Sequence, residues 1–169
     1  MKHILGPNSR SVLTHVKDGD SQPNAVDLRL DKVFRILPTP FILSEEQKVH
    51  RGTEPILPDE DGYFLLIPGQ YEVVMENTIN VGPGEAGWVI TRSTLNRNGI
   101  FLTSGLYDSK YSGCMAACMH VGTGTANIKR GTRIGQYLCF NAEMLHGYNG
   151  SYGFNSDGSA KPDELKYHQ

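Results

Sequence analysis

Short apolar segments that end at glycine or proline turns recur along the chain from residue 25 onward, and this pattern limits the folds that the chain can adopt. Residues 63–67 are apolar and end at Pro68-Gly69, and a Gly-Pro-Gly turn follows at residues 82–84. With 19 glycines and 9 prolines in 169 residues, turn formers are frequent. Strands at intervals of about ten residues with turns between them are typical of all-β sandwiches and barrels.

Residues 114–121 show the clearest strand pattern, because their side chains alternate between two faces. One face carries Cys114, Ala116, Cys118 and His120, and the other carries Met115, Ala117, Met119 and Val121. We therefore predict a strand here, followed by a hairpin-type connection at residues 122–124. Three side chains that share one strand face, Cys114, Cys118 and His120, do not converge on a metal ion, and their spacing is not that of a zinc site.

The rest of the chain divides into one domain and a tail. Residues 11–16 fit either a short helix or a strand. Residues 38–61 are polar and rich in proline, which favours an excursion on the surface of one domain over a linker between two. Residues 148–169 are rich in Gly, Ser and Asn with a charged end, which predicts a flexible arm. We therefore expect a β-domain over residues 1–147 and an arm over residues 148–169.

Charge and hydropathy exclude several classes of partner. The chain has 16 Lys and Arg against 18 Asp and Glu, so it has no basic excess for a nucleic-acid backbone. The longest apolar runs, such as residues 64–67, are far too short to cross a bilayer. The N-terminus lacks the apolar region of a signal peptide, so the expected location is the cytoplasm. Three cysteines do not make a disulfide framework.

Two segments combine charged and hydrogen-bonding side chains, and each allows a structural and a functional interpretation. Asp27 lies in an apolar strand, either as an edge or turn carboxylate or as a buried group near a cation. Arg92, Ser93 and Arg97 follow a strand. They fit a short helix with Ser93 as its N-cap, or a phosphate cradle built from backbone N–H groups, hydroxyls and guanidinium groups.

Two later segments are equally ambiguous when each is considered alone. Asp108 lies between Gly105 and Gly113, three residues before Tyr111. This fits an ordinary hairpin turn, or a carboxylate base held on a rigid hairpin. Gln136 interrupts a strand suited to a core, and it either faces solvent or serves a site.

In this order, the segments resemble the motifs of the trimeric deoxyuridine triphosphatase (dUTPase) superfamily, which also contains the dCTP deaminases. The resemblance covers about residues 24–158, apart from the excursion at residues 38–61. It implies an all-β fold, a short-stranded β-barrel of jelly-roll type, and a homotrimer with active sites between subunits. The segments that carry it are Asn24-Ala25-Val26-Asp27-Leu28-Arg29-Leu30, Arg92-Ser93-Thr94-Leu95, Gly105-Leu106-Tyr107-Asp108-Ser109-Lys110-Tyr111-Ser112-Gly113, Gly131-Thr132-Arg133-Ile134-Gly135-Gln136 and the glycine-rich residues 150–158.

The resemblance separates the two activities of the superfamily. Deamination in this family needs a Glu ten residues after the motif Asp, and that place holds Cys118, with no Glu over residues 100–140. The deaminases also have an Ala-His pair shortly before the Asp, where this chain has Ser and Gly. In contrast, two features are of the deaminase type. One is Arg97, which follows Arg92 by five residues, and the other is the first motif. We interpret the chain as a deaminase-like scaffold with triphosphatase chemistry.

The implied reaction is Mg²⁺-dependent hydrolysis of dUTP to dUMP and pyrophosphate. Three alternatives to this reaction stay open. The first is a dCTP deaminase, alone or bifunctional. The second is a triphosphatase for another pyrimidine deoxynucleotide, and the third is a non-catalytic nucleotide-binding regulatory protein. By the resemblance, Asp108 is the base that activates water at the α-phosphate, and Ser93 and Gln136 contact the phosphates with help from Arg92. The three phosphates and water hold the Mg²⁺ with no direct protein ligand, and Asp27 accepts hydrogen bonds from those waters.

The resemblance also assigns the nucleoside contacts. Tyr111 packs on the sugar and leaves no space for a 2′-hydroxyl. Backbone groups around Leu106 read the base, and Phe154 from the arm closes over the uracil. The chain departs from the family at Asn149, where the fifth motif normally has an Arg for the γ-phosphate. Lys161 or Arg97 is a candidate to replace it.

Overall fold

The computed structural model describes all 169 residues as twelve β-strands and two short helical segments. No helix is long and apolar enough to span a bilayer. The elements in chain order are β1 (Val12–Leu13), β2 (Val26–Ile36), β3 (Ile42–Leu43), β4 (Lys48–Val49), β5 (Thr53–Ile56), β6 (Tyr63–Leu66), β7 (Gly69–Asn80), β8 (Glu85–Thr91), α1 (Ser93–Asn96), β9 (Ile100–Thr103), β10 (Ser112–Val121), β11 (Ala126–Lys129), β12 (Arg133–Asn141) and a 3₁₀ helix (Leu165–His168).

One antiparallel sheet of eight strands forms the body of the protein. Its main path runs in the order β8-β12-β2-β7-β10-β9, with β1 added to β7 and β5 added to β2. Neighbours on this path are mostly distant in sequence, so the sheet depends on long-range pairing rather than on hairpins. Two smaller pairs, β6 with β11 and β3 with β4, complete the fold.

The two outer strands of this path approach each other and nearly close the sheet into a barrel. The Thr91 hydroxyl on β8 accepts a hydrogen bond from the Leu102 N–H at 2.7 Å and donates to the Leu102 carbonyl at 3.2 Å. Gly87 and Tyr107 exchange two backbone hydrogen bonds of 2.7 and 3.1 Å. Only glycine fits at residue 87, because a Cβ there would lie 2.2 Å from the Leu138 carbonyl oxygen. The predicted all-β barrel is confirmed.

The alternation over residues 114–121 places one face of β10 in the core, as predicted. Met115 and Met119 are fully buried, while Cys114, Cys118 and His120 are partly exposed. The buried face of β10 joins a single cluster of 26 buried apolar residues from both halves of the barrel. The hydrophobic effect therefore determines which face of this strand points inward.

Two local expectations are resolved by the wider topology. Residues 122–124 do not form a hairpin, because β11 pairs with the distant β6 and not with β10. Of the two options for residues 11–16, the strand is correct, and β1 pairs with Ile79 and Asn80 of β7. Residues 38–61 lie mostly on the surface, where they form the β3–β4 hairpin and add β5 to the end of β2.

Glu85 fastens the N-terminal segment to the barrel at the start of β8. Its carboxylate is 1% exposed and accepts hydrogen bonds from the Lys2 ammonium at 2.7 Å, the Arg10 N–H at 2.8 Å and the Ser11 hydroxyl. Burial alone would raise the pKa of Glu85, but these bonds outweigh burial and lower the pKa from 4.5 to about 2. The ionised form is therefore stabilised by folding.

Replacing this carboxylate with an amide, Glu85→Gln, should lower the free energy of unfolding at pH 7 by about 3 kcal/mol, because Lys2 loses its buried partner. The lowered pKa means that the contribution of Glu85 is complete above about pH 4.5 and is lost as the pH falls toward 2. Urea denaturation at several pH values should thus show the difference between variant and parent shrinking below pH 4.5.

The control is Glu54→Gln, because Glu54 is exposed and lies 3.8 Å from Arg35. That change should alter stability by less than about 1 kcal/mol. Equal losses in the two variants would show that Glu85 does not anchor the N-terminal segment.

Candidate active site

Asp27 on β2 is the centre of a polar cluster inside one end of the barrel. Its carboxylate is fully buried. It accepts a hydrogen bond from the Gln136 amide at 2.9 Å and lies 3.4 Å from Nε of Arg92 and 3.3 Å from Nη1 of Arg133. The Gln22 amide donates to it at 3.2 Å. Asp27 is therefore the buried carboxylate near cations, and the edge or turn interpretation is wrong.

A bulge in β12 brings Arg133 and Gln136 to the same side of that strand. Arg133 pairs with Arg29 and Gly135 pairs with Leu28, so Ile134 is an extra residue in the ladder. Side chains three positions apart in a regular strand point to opposite faces. The bulge reverses this relation, and both side chains reach Asp27.

The helix that follows β8 begins one residue earlier than the sequence suggests. Arg92 occupies the N-cap with extended backbone angles, and no side chain caps the helix. The Arg92 N–H still bonds to the Ile134 carbonyl, as in a strand, while its carbonyl accepts from Leu95 and Asn96. The prediction of Ser93 as N-cap is therefore wrong. Ser93 is instead the exposed first helical residue, and Arg97 is the exposed C-cap.

The Asp27 cluster carries a net positive charge at its rim, because two guanidinium groups share one carboxylate. Arg92 and Arg133 remain about one-third exposed, at 28% and 35% of their side chains. Arg29 from the same strand as Asp27 does not join them, since it forms a two-bond ion pair with Asp20. Such a rim suits an anion with several oxygens, such as a phosphate chain.

A direct metal ligand does not fit at Asp27. Each of its carboxylate oxygens already has two partners within the chain, an amide and a guanidinium group, so neither oxygen has a lone pair to spare. A Mg²⁺ ion needs free oxygen ligands and would be repelled by the guanidinium groups.

Asp108 lies on the connection between β9 and β10, which two buried tyrosines hold in place. The Tyr107 hydroxyl donates to the Ala116 carbonyl at 2.9 Å, and the Tyr111 hydroxyl donates to the Cys114 carbonyl at 2.8 Å. Their rings pack edge to face with centroids 5.5 Å apart. Burial raises the pKa of both phenols, so they remain protonated donors. The Asp108 side chain itself is exposed.

Two cavities flank this connection. One, of about 400 Å³, is lined by Asp108, Leu106 and residues 142–150. The other, of about 230 Å³, is apolar and is lined by aromatic side chains that include Tyr111 and Tyr148. Asp108 lines only the first cavity, and Leu106 lines both, so the connection is suited to a ligand that has both an anionic and a planar apolar part.

Within a single chain, Asp108 lies far from the Asp27 cluster. The Asp108 connection is bonded to Gly87 near the start of β8, whereas Arg92 follows its last residue. Five residues of extended strand between these points span roughly 17 Å. The structure therefore unites Asp27, Arg92 and Gln136 in one group, and Leu106, Asp108 and Tyr111 in another.

The remaining predicted residues lie on the tail. Phe154 is half-buried, its ring is 5.6 Å from the His168 ring, and its N–H donates to the Ser112 carbonyl. Asn149 is exposed and lines the cavity beside Asp108. Lys161 lies over the Tyr148 ring, 4.9 Å from its centroid. In this structure the tail is packed against the barrel.

Cys118, which stands where a deaminase has Glu, is a half-buried thiol opposite Glu72 on β7. Burial, and then the Glu72 charge, raise the pKa of this thiol, which keeps it protonated. The Glu72 carboxylate accepts hydrogen bonds from Lys166 at 2.9 Å and Tyr167 at 2.6 Å. Cys118 is therefore not a thiolate, and the Glu72 carboxylate is already paired with two side chains of the tail.

Sequence reasoning missed two members of the Asp27 cluster, Arg133 and Gln22. Arg133 lies in the segment that contains Gln136, but regular alternation assigns it to the opposite face. Gln22 precedes the first motif, in a loop with no periodic pattern. Only the bulge and the loop path reveal these two residues.

Comparison with known proteins places this fold and these residues in a family. The model of the dCTP deaminase-like family matches residues 6–142, which is most of the chain. The chain belongs to the dCTP deaminase-like family. This match, and the similarity to relatives named as dUTPases, confirm the superfamily that the motifs predict.

Curated relatives of this dCTP deaminase-like chain carry both activities in their names. A probable deoxyuridine 5′-triphosphate nucleotidohydrolase of Methanococcoides burtonii is 33% identical over 141 residues, which cover 80% of this chain and 82% of the relative. One from Halobacterium salinarum is 31% identical, covering 81% and 85%. A dUMP-forming dCTP deaminase of Parafrankia sp. is 31% identical, covering 86% and 77%.

Solved structures support the same fold. The dCTP deaminase of Agrobacterium tumefaciens superposes with a TM-score of 0.58 at 16% identity, over 76% of this chain and 43% of that longer chain. A dUTPase of Staphylococcus bacteriophage 80alpha superposes with a TM-score of 0.50 at 9% identity, over 83% and 95%. At these identities the likeness concerns the fold alone.

The variant Asp27→Asn tests the cluster without reference to any activity. Arg92 and Arg133 would lose a buried counter-charge, so the free energy of unfolding should fall by about 3 kcal/mol in urea denaturation. The matched control is Asp31→Asn on the same strand, whose carboxylate pairs with the exposed Arg130. That control should change stability by less than about 1 kcal/mol. Similar values for both variants would mean that Asp27 does not organise the cluster.

Proposed function

We propose that this protein hydrolyses dUTP to dUMP and pyrophosphate, with Asp108 as the base. The observation that carries the proposal is the exposed Asp108 carboxylate, which lines one cavity on a connection whose two buried tyrosines line an aromatic cavity. The names of the curated relatives support the substrate.

Asp108 accepts a proton from a water molecule and orients that water toward the α-phosphate. A carboxylate suits this role when it is ionised, fixed in direction and open to solvent. The rigid connection limits the positions that the carboxylate can adopt, which lowers the entropy cost of reaching the transition state. Negative charge then develops on the departing pyrophosphate.

The rim of the Asp27 cluster stabilises that charge. Arg92 and Gln136 are oriented by Asp27 before the substrate binds, so little reorganisation is needed during the reaction. Ser93 adds its hydroxyl, and the first helical turn adds its unpaired backbone N–H groups. Arg133 is a further guanidinium at the same rim.

A homotrimer would unite the two groups of residues. The phosphate-binding rim and Asp108 lie at opposite ends of β8, so a site composed of both requires Asp108 from one subunit and the rim from a neighbour. A head-to-tail interface that closes into a ring repeats this junction at every contact. The family resemblance indicates three such contacts.

Sugar and base are recognised on the Asp108 connection. The Tyr111 ring packs on the deoxyribose and excludes a 2′-hydroxyl by its volume. No hydrogen bond within the chain uses the backbone N–H or carbonyl of Leu106, so both are available to a pyrimidine edge.

The arm over residues 148–169 completes the site in this proposal. Phe154 leaves its place near His168 and stacks on the uracil, which excludes water. Asn149 supplies no charge for the γ-phosphate, so Lys161 or Arg97 takes that role.

No side chain of this proposal would hold Mg²⁺ directly; supplied with the triphosphate, the ion would neutralise phosphate charge. Asp27 orients Arg92 and Gln136, and it would meet the ion only through water.

Deamination of dCTP is the second candidate, because a dUMP-forming dCTP deaminase is among the relatives. The state of Cys118 and Glu72 argues against it, since the thiol is protonated and the carboxylate is already paired. A purely regulatory binding protein has no need of the exposed Asp108.

Replacing the proposed base, Asp108→Asn, should lower kcat for dUTP hydrolysis at least about a hundredfold, since an amide cannot take the proton. Pyrophosphate release in the presence of Mg²⁺ measures this. The control is Asp61→Asn, an exposed carboxylate in a distant loop, which should leave the rate unchanged.

Equal rates in the Asp108→Asn variant and the parent would contradict the role of Asp108. The parent should release no ammonia from dCTP. Ammonia release would favour the deaminase instead.

Mixed oligomers test whether the site is shared between subunits. Asp108→Asn and Arg92→Gln variants should each be nearly inactive alone, with folding verified by circular dichroism. When both are co-expressed with different tags and isolated together, every mixed trimer has one junction in three that combines an intact Asp108 with an intact Arg92, so about a third of the parent activity should return. Mixed oligomers no more active than either variant would show that the site lies within one chain.

A further inference from the structure

A cysteine, a glutamate and a histidine meet where the tail lies over the start of β10. The Cys114 sulfur is 3.8 Å from Nε2 of His168, which is 3.8 Å from a carboxylate oxygen of Glu164. One ligand atom from each residue lies within 4.8 Å of the other two. The three groups lie outside the Asp27 cluster, and none of them contacts the nucleotide in the proposed hydrolysis.

The two distances at His168 are close to those around a tetrahedral zinc ion. With Zn–S near 2.3 Å and Zn–N or Zn–O near 2.0 Å, neighbouring ligand atoms lie roughly 3.3–3.5 Å apart. The two 3.8 Å distances from the imidazole nitrogen, to the sulfur and to the carboxylate oxygen, need to shorten by only a few tenths of an ångström. Thiolate, imidazole and carboxylate together favour zinc over Mg²⁺ or Ca²⁺, which prefer oxygen alone.

Glu164 provides a second, independent argument for a cation. Its side chain is fully buried, and its two oxygens accept backbone N–H bonds from Cys114 at 2.7 Å and Gly153 at 2.8 Å. The only basic side chain within ion-pair distance is the exposed imidazole of His168. A buried carboxylate is costly without a counter-charge, and a divalent ion between Glu164, His168 and Cys114 would supply one.

The surrounding chain holds the three groups in place. A Cβ at Gly113 would lie 2.7 Å from the Cα of Gly153, so two glycines allow the tail to lie directly on β10. The Lys32 ammonium donates to the Tyr167 carbonyl at 2.6 Å, one residue before His168. Backbone contacts on both sides of Glu164 therefore position the ligands before any metal binds.

We propose that Cys114, Glu164 and His168 form a zinc site that clips the C-terminal end of the tail to β10, with a fourth position open to water. The Cys114 thiol gives its proton to solvent on binding, as does His168 when it is charged, and no electron transfer takes place. Three protein ligands and one water match the open type of zinc site.

Metal titration of the full-length, reduced, metal-free protein tests the proposal. Zn²⁺ in competition with a chromophoric chelator should bind at one equivalent per chain. Co²⁺ as a probe should produce a near-ultraviolet thiolate-to-metal absorption band. Hydrogen exchange at the end of the tail should slow when zinc is added, because the clip suppresses local opening.

Matched variants separate this site from adventitious binding. Cys114→Ser and His168→Ala should weaken zinc binding more than about tenfold and remove the slowing of exchange. His168 is exposed, so its replacement leaves the fold intact. Cys118→Ser, a half-buried thiol on the same strand face, should bind as the parent does.

Zinc affinity that is unchanged in His168→Ala, or a cobalt complex without the thiolate band, would overturn the proposal. Dependence on Cys118 instead of Cys114 would also overturn it. These readouts report zinc binding alone, and dUTP hydrolysis is measured separately through pyrophosphate release, so the two proposals fail independently.

Discussion

The buried carboxylate of Asp27 is the interaction on which one half of the candidate site depends. Removing a charge from water is costly, and here two guanidinium groups and two amides offset that cost. The same contacts orient Arg92 and Gln136, which come from the end of β8 and the middle of β12. The contacts that offset the burial of Asp27 thus also fix Arg92 and Gln136 before any ligand binds, as the proposed phosphate-binding role requires.

Strand β8 connects the two groups of candidate residues, and its length keeps them apart. Gly87 near its start bonds to the Asp108 connection, and Arg92 follows its end. A strand within a sheet cannot shorten, because its length is set by backbone geometry. The barrel therefore presents Asp108 and the Asp27 cluster on different sides, which is the physical reason why the proposed activity would depend on assembly.

The tail shows how composition and structure answer different questions. Its many glycines predict that the tail can adopt a wide range of conformations. They do not predict which one of these conformations is the most stable. In the structure, Gly153 allows close contact with Gly113, and Glu164 is buried against β10. Closing over a nucleotide would exchange this packed arrangement for another, so the free-energy difference between the two would determine how readily the arm closes.

The sequence by itself determined the all-β class, the inward face of β10 and the order of the family motifs. The first two features depend on periodicity and turn residues, which act over a few neighbouring positions, and the motifs are short segments that can be read directly from the sequence. The tertiary structure decided what local pattern cannot specify. It paired β11 with β6, moved the N-cap from Ser93 to Arg92 and turned Arg133 toward Asp27 through a bulge. It also brought Cys114 to Glu164 and His168, fifty residues away, because contacts between distant segments arise only when the whole barrel packs.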